Sequence, residues 1–320
     1  MMRRRVLGGV AAAAAAGLGW LGWTRLSGAR TLDDAAMAAL YARPLPPPAG
    51  PMRVYHLGHS LVGRDMPRIL GALADAALGP GHSWESQLGW GASLKDHWGG
   101  RATVNGFDVE NAHPRHRPAE AALASGDYDA AVFTEMVELR DAIRWHDSPD
   151  YLARWARRAR AGRGDVRLYL YTTWHHLDDA TGFLERIDAD QTALWEDGVL
   201  RPALARLAGT PIHVIPGGPA LAAVVRRAEG AGGLPGLPDR TALFRREPDG
   251  RQDTIHLSAL GLYVIALTHF AVLYHRDPRG LPWPATETED GPAAPPPPET
   301  RAAVQEAVHN AVQAARLTGL

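Results

Sequence analysis

"VYHLGHSLVGRDMP" occupies residues 54–67. An apolar run ends abruptly at Gly58, Ser60 follows, and a helix-compatible segment begins soon after. Short apolar runs that stop at Gly, Pro or polar residues read as buried parallel strands. The first run, Arg53–Leu57, has four successors: Trp84–Leu88, Ala130–Thr134, Arg167–Thr172 and Ile212–Ile215. Helix-compatible segments lie between them, near 66–78, 117–125, 149–161, 189–207 and 218–228. Strand–helix alternation predicts an α/β domain, a parallel sheet with helices on both faces. Right-handed crossovers then carry the loops after each strand to one sheet edge, where sites in such folds sit. Ser60, Gly91, Glu135 and Trp174-His175-His176 are therefore expected to converge there. The break at Gly58 is expected to be a tight backbone turn.

The bulk numbers narrow the function. The chain has 320 residues, 46% of them hydrophobic, enough for one large core. A formal net charge of −1 gives no basic face, so nucleic acid is not an expected partner. The absence of cysteine excludes disulfides, thiolate catalysis and Cys-based metal centres. The opening "MMRRRVLGGVAAAAAAGLGWLGWTRLSGAR" sets an Arg cluster before an Ala/Gly-rich apolar stretch. Residues 1–29 thus resemble a bacterial export signal, of twin-arginine type, with Ser27-Gly28-Ala29 as a cleavage site. The alternative is an uncleaved N-terminal membrane anchor. Either way the remainder is expected outside the cytoplasm, periplasmic or extracellular.

Residues 30–50, with "RPLPPPAGP" at their end, read as a Pro-rich spacer, and 51–285 as the folded domain. Residues 286–320 read as a Pro-rich linker ("GPAAPPPPET") and a C-terminal helix, Thr300–Leu317. Its stripe of Val304, Val308 and Val312 is expected to pack on the domain or on a partner.

A second informative stretch is "RQDTIHLSALGLYVIAL", residues 251–267. Asp253 and His256 lie three apart, ahead of a long apolar helix, Ala259–His275, with Ser258 as its N-cap. In a loop or first helical turn that spacing puts both side chains on one side. A carboxylate can then accept the imidazole Nδ1–H, leaving Nε2 to take a proton from a serine hydroxyl. Taken alone, Asp253 as a turn cap and His256 as a core histidine is the commoner outcome.

Together the two stretches resemble the SGNH hydrolase superfamily of GDSL-like esterases. Four blocks across residues 52–275 carry the resemblance: Gly58-His59-Ser60-Leu61, "LGWGASL", "YDAAVFTEMVELRD" and Asp253-Thr254-Ile255-His256. It implies a three-layer α/β/α sandwich with a flavodoxin-like parallel sheet of about five strands. It implies Ser60 as nucleophile, His256 as base and Asp253 as its partner. The backbone N–H groups of Ser60 and Gly91 would form the oxyanion hole, with no cofactor. A nucleophile elbow does not fit, because residues 58–62 read G-H-S-L-V rather than G-x-S-x-G.

Two departures stand out. His59 replaces the usual acidic or amide residue before the serine. The third block has no Asn where the family supplies an oxyanion donor; Thr134 or Glu135 stands nearest. A lost donor can cost about 2.7–4 kcal/mol of barrier lowering. The chain is then slower, or draws a donor from Asn105 or Asn111, or uses Glu135 to hold a substrate hydroxyl.

The resemblance implies hydrolysis of an acyl ester, acetyl in the simplest case, on a carbohydrate or cell-envelope polymer. A lipase or thioesterase of the same fold and a weakened glycan-binding envelope protein are the alternatives. His59, Trp90, Glu135, Trp174 and His175 are the candidate substrate contacts, the tryptophans as stacking faces for sugar rings. No metal site is expected. His175-His176 with Asp178-Asp179 lacks ligand spacing, and so does His113-Pro-Arg-His116.

Overall fold

The computed structural model describes residues 31–284, 287–289 and 291–320. The export-signal expectation falls on residues outside that range. Five parallel strands form the central sheet: β1 (Arg53–Leu57), β2 (Ser83–Gln87), β3 (Ala130–Phe133), β4 (Arg167–Thr172) and β5 (His213–Pro216), in the order β2-β1-β3-β4-β5. Each lies within one residue of its expected bounds. That order is the flavodoxin-like one, with its switch point between β1 and β3. The register sets Leu57 level with Gln87 and Phe133, so β1, β2 and β3 end together.

The longer helices are α1 (Asp34–Leu40), α2 (Asp65–Leu78), α3 (Leu94–Gly99), α4 (Ala119–Ala124), α5 (Leu139–Trp145), α6 (Ser148–Gly162), α7 (Phe183–Asp190), α8 (Gly217–Glu229), α9 (Ala259–Tyr274) and α10 (Pro298–Ala314); a π-helical stretch, Gln191–Leu200, continues α7. Side chains alternate across the sheet, as the period of two requires. Val54, Val132, Tyr169, Tyr171 and Ile215 pack with α2, α8, α9 and α10. Tyr55, Leu57, Ala131, Phe133, Leu168, Leu170 and Val214 pack on the other face with α1, α4, α6 and the π-helical stretch. The result is a three-layer α/β/α sandwich.

Helix α9 is buried without a break from Tyr263 to Tyr274. A helix apolar all round must be covered all round. The sheet takes one side, and α2, α8 and α10 the rest. Val304, Val308 and Val312 of α10 are buried in that contact, so the C-terminal stripe packs on the domain itself.

The 30–50 stretch is not a free spacer. Asp33 caps α1 by accepting from Ala36 N–H at 2.8 Å, and Met37 enters the core. Leu45 N–H donates to Gly319 C=O at 2.8 Å, tying both ends of the described chain together beside β5. Proline content drew the spacer reading, although "DDAAMAAL" ahead of the prolines carries a cap and an apolar helical position.

Candidate active site

The turn that carries Ser60 begins where β1 ends. A Cβ on Gly58 would lie 2.4 Å from Thr134 Cγ2 of the β3 loop. Gly58 is thus glycine for lack of room, not for the turn conformation expected of it. The left-handed position is Gly63, at φ +57°. Val62 and Gly63 N–H both donate to His59 C=O, at 2.9 and 3.3 Å, which closes the turn with Ser60 half-exposed on it.

Buried histidines hold the turn from beneath. His97 Nε2–H donates to Gly58 C=O at 2.8 Å, and its Nδ1 accepts from the Gln87 amide at 2.9 Å. Gln87 Oε1 in turn accepts from Ala119 N–H at 2.9 Å, at the start of α4. His59 Nε2–H donates to Glu135 C=O at 2.8 Å. Burial pushes both His59 and His97 down to about 4, so both rings are neutral.

Asp253 and His256 lie on a strand rather than in a loop or helical turn. A hairpin pairs β6 (Phe244–Arg246) with β7 (Gln252–Leu257). Residues three apart on a regular strand face opposite sides, but this ladder is irregular. Phe244 pairs with Leu257 and Arg246 with Gln252, so residues 253–256 stand opposite Arg245 alone. Within that bulge Asp253 Oδ1 accepts from Ile255 and His256 N–H, at 2.8 and 2.9 Å. The backbone curls round the carboxylate and brings His256 Nδ1 to 2.8 Å from Asp253 Oδ2. His256 Nε2 lies 3.1 Å from Ser60 Oγ. Burial alone would raise the Asp253 carboxyl. The N–H groups of His256 and Ile255, with the imidazole, hold it well below the usual carboxylate range. An ionised acceptor at Nδ1 places the ring proton there. Nε2 is then free to accept from the Ser60 hydroxyl.

The loop after β4 grips this bulge. Trp174 Nε1–H donates to Ile255 C=O at 2.8 Å, Leu177 N–H donates to Thr254 C=O at 2.8 Å, and His176 Nδ1 lies 2.9 Å from Thr254 Oγ1.

Most of the expected substrate contacts belong instead to this supporting frame. Trp174 is 1% exposed and braces the His256 strand. His175 is buried against Asp190, with Nε2 3.1 Å from Oδ2, and against Arg186. Glu135 is fully buried. Its Oε1 accepts from Met136 and Leu94 N–H, at 2.9 and 3.2 Å, and its Oε2 from Ser148 Oγ at 2.7 Å. Burial raises this carboxyl to about 7 against those hydrogen bonds. Thr134 Oγ1 donates to Tyr171 C=O, so neither third-block candidate offers a side chain to substrate. Asn111 is also committed: its amide donates to Leu88 and Phe107 C=O, at 2.8 and 2.7 Å, and its oxygen accepts from Leu88 N–H. Asn105 is exposed and anchors the β2 loop through its carbonyl, which accepts from Trp90 N–H.

Trp90 is the expected contact that does face solvent, at 52% exposure, with Nε1–H on Glu110 at 2.7 Å. Its neighbour Gly91 has φ +56° and open space where a Cβ would stand. Among the described residues, no protein group accepts a hydrogen bond from the N–H of Ser60 or Gly91.

Gln87, His97, Ser148 and Arg245 were not singled out from sequence. The hairpin that carries Arg245 had a signal: Pro248-Asp249-Gly250 is turn chemistry between two short runs. Gly250 takes φ +85° in it. The others act through contacts distant in sequence and leave no local pattern.

Among solved structures, a DUF4886 family protein from Bacteroides uniformis ATCC 8492 matches 82% of this chain and 95% of its own, with TM-score 0.56 and 20% identity. A "putative GDSL-like lipase" from Parabacteroides merdae ATCC 43184 matches 71% of this chain and 96% of its own, with TM-score 0.41 and 12% identity. The first shares the fold; the second is too loose a likeness to carry an argument. No protein-family model and no curated protein matches the chain. Among the described residues no helix is long and apolar enough to cross a membrane, and no group of three or more His, Asp or Glu is arranged to hold a metal ion. The chain is thus a flavodoxin-like α/β sandwich whose sheet edge gathers a serine, a histidine and an aspartate into one hydrogen-bonded line.

Proposed function

We propose that the chain is a serine esterase of the SGNH hydrolase type. One observation carries the reading: the unbroken line from Ser60 Oγ through His256 to Asp253, at 3.1 and 2.8 Å, beside the β1/β3 switch point. In this reading His256 Nε2 takes the Ser60 proton as Oγ attacks an ester carbonyl. Asp253 fixes the tautomer and offsets the imidazolium charge. The oxyanion forms against the N–H groups of Ser60 and Gly91. His256 then protonates the leaving alcohol, and water releases the acyl group by the reverse path. With the third-block side chains committed elsewhere, two backbone donors serve the oxyanion, and turnover is expected to be slow.

The substrate we propose is an acyl ester, acetyl in the simplest case, on a carbohydrate of the cell envelope, the chain being exported by its N-terminal segment. Trp90, exposed beside Gly91, supports a sugar-stacking role. The test is steady-state hydrolysis of a short aryl ester by the full chain. Ser60→Ala and His256→Ala are each expected to lower kcat/KM by about 10³-fold or more. Full activity in Ser60→Ala would overturn the reading. Trp90→Ala is expected to raise KM for an acetylated oligosaccharide more than for the aryl ester; equal effects would remove the glycan from the proposal.

A further inference from the structure

We propose that Arg245 is a positioning residue of the acid arm, which locks the Asp253 carboxylate and opposes the build-up of positive charge on His256. Its bearing on catalysis rests on the esterase reading above. Arg245 is the single β6 residue opposite the 253–256 bulge. Its Nε–H donates at 3.1 Å to Asp253 Oδ2, the oxygen that also receives His256 Nδ1–H. Asp253 Oδ1 is meanwhile filled by the N–H groups of Ile255 and His256. Two donors on each oxygen use the roughly four acceptor positions of a carboxylate. Any rotation of the carboxyl group away from the imidazole therefore breaks other bonds at once.

The charge balance differs from that of a bare Asp–His pair. With Arg245 in contact, the Asp253 charge is already partly balanced before the imidazole gains a proton. Protonated His256 then meets a carboxylate whose field is partly cancelled by the guanidinium. The contact is one-third exposed on the Arg side and 6% exposed on the Asp side, so solvent screens the guanidinium more than the carboxylate. Other titratable or charged groups lie on the elements that flank His256. His59, on the nucleophile turn, is buried and neutral. His176, on the β4 loop, bonds Thr254 Oγ1, and Arg246 turns away to Gly250 C=O. Neither of these places a second charge on Asp253.

The test compares full-chain wild type, Arg245→Met and Arg245→Lys by two readouts. The first is the pH profile of kcat/KM on a short aryl ester. The second is ¹⁵N NMR titration of the His256 ring, which needs no turnover. In Arg245→Met the acid limb and the ring titration are both expected to move to higher pH, by about half a unit or more. Arg245→Lys, which keeps the charge, is expected to stay near wild type. An active Arg245→Met with unmoved limb and titration overturns the inference and leaves the esterase reading standing. A moved titration in a chain that hydrolyses no ester supports the Arg245–His256 coupling and overturns the esterase reading.

Discussion

Glu135 holds two N–H groups on one oxygen and the Ser148 hydroxyl on the other, beside the first residues of α3 and α6 and away from solvent. Its carboxyl is raised to about 7, first of all by burial. The sign follows from linkage. A carboxyl raised in the folded state favours folding while protonated, fully so below its ordinary value, and that contribution is lost as pH rises through about 7. Gln reproduces the protonated form: one oxygen accepts, and the amide donates to Ser148. Glu135→Gln is therefore expected to match wild type in stability near pH 4 and to exceed it at pH 8 by on the order of 2–3 kcal/mol. Urea unfolding at both pH values checks this, and a difference independent of pH would contradict it. The sequence marked position 135 as a departure from the pattern it resembles and suggested a substrate hydroxyl as its partner; the partners found are Leu94 and Met136 N–H and the Ser148 hydroxyl. Whether a carboxylate meets substrate or two helix N-termini is settled by packing around β3. Ser60, Asp253 and His256 were legible because their residue types, order and separation fit a known chemistry.

At the scale of elements, the β6–β7 hairpin makes the site. A regular strand would divide Asp253 from His256; the bulge opposite Arg245 brings them to one side. The sequence showed the i, i+3 spacing but suggested a loop or helical turn, because bulge geometry depends on the partner strand. The β4 loop then sets where the bulge sits, through Trp174. Trp174→Phe keeps most of the buried ring but removes the donor to Ile255 C=O. It is expected to cost about 1–2 kcal/mol of stability and to lower kcat while KM stays near wild type. Denaturant unfolding together with steady-state kinetics separates the two effects. A rise in KM with kcat unchanged would return Trp174 to the substrate-contact role.

At the scale of the whole molecule, the strands and major helices were legible because the sheet is buried on both faces and its runs end at Gly, Pro or polar residues. The C-terminal helix and its valine stripe were legible too; the N-terminal segment with α1 was not, because proline-rich composition hides the packing of what flanks it. Helix α10 completes the cover of α9 through Val304, Val308 and Val312. Val308, fully buried, is a sharp probe. Val308→Asp is expected to destabilise the fold by roughly 3 kcal/mol or more, since an isolated carboxylate there has no partner. Thermal unfolding of the variant measures it, and an unchanged midpoint would mean that α10 is dispensable.

In the proposed esterase, this fold presents Ser60 as a nucleophile activated by His256. The most direct test is reaction of the folded full chain with a serine-directed phosphonate, the adduct being located by mass spectrometry. One adduct is expected, on Ser60, absent in Ser60→Ala and formed far more slowly in His256→Ala. A folded chain that takes no label at Ser60, or that labels equally fast without His256, would contradict it.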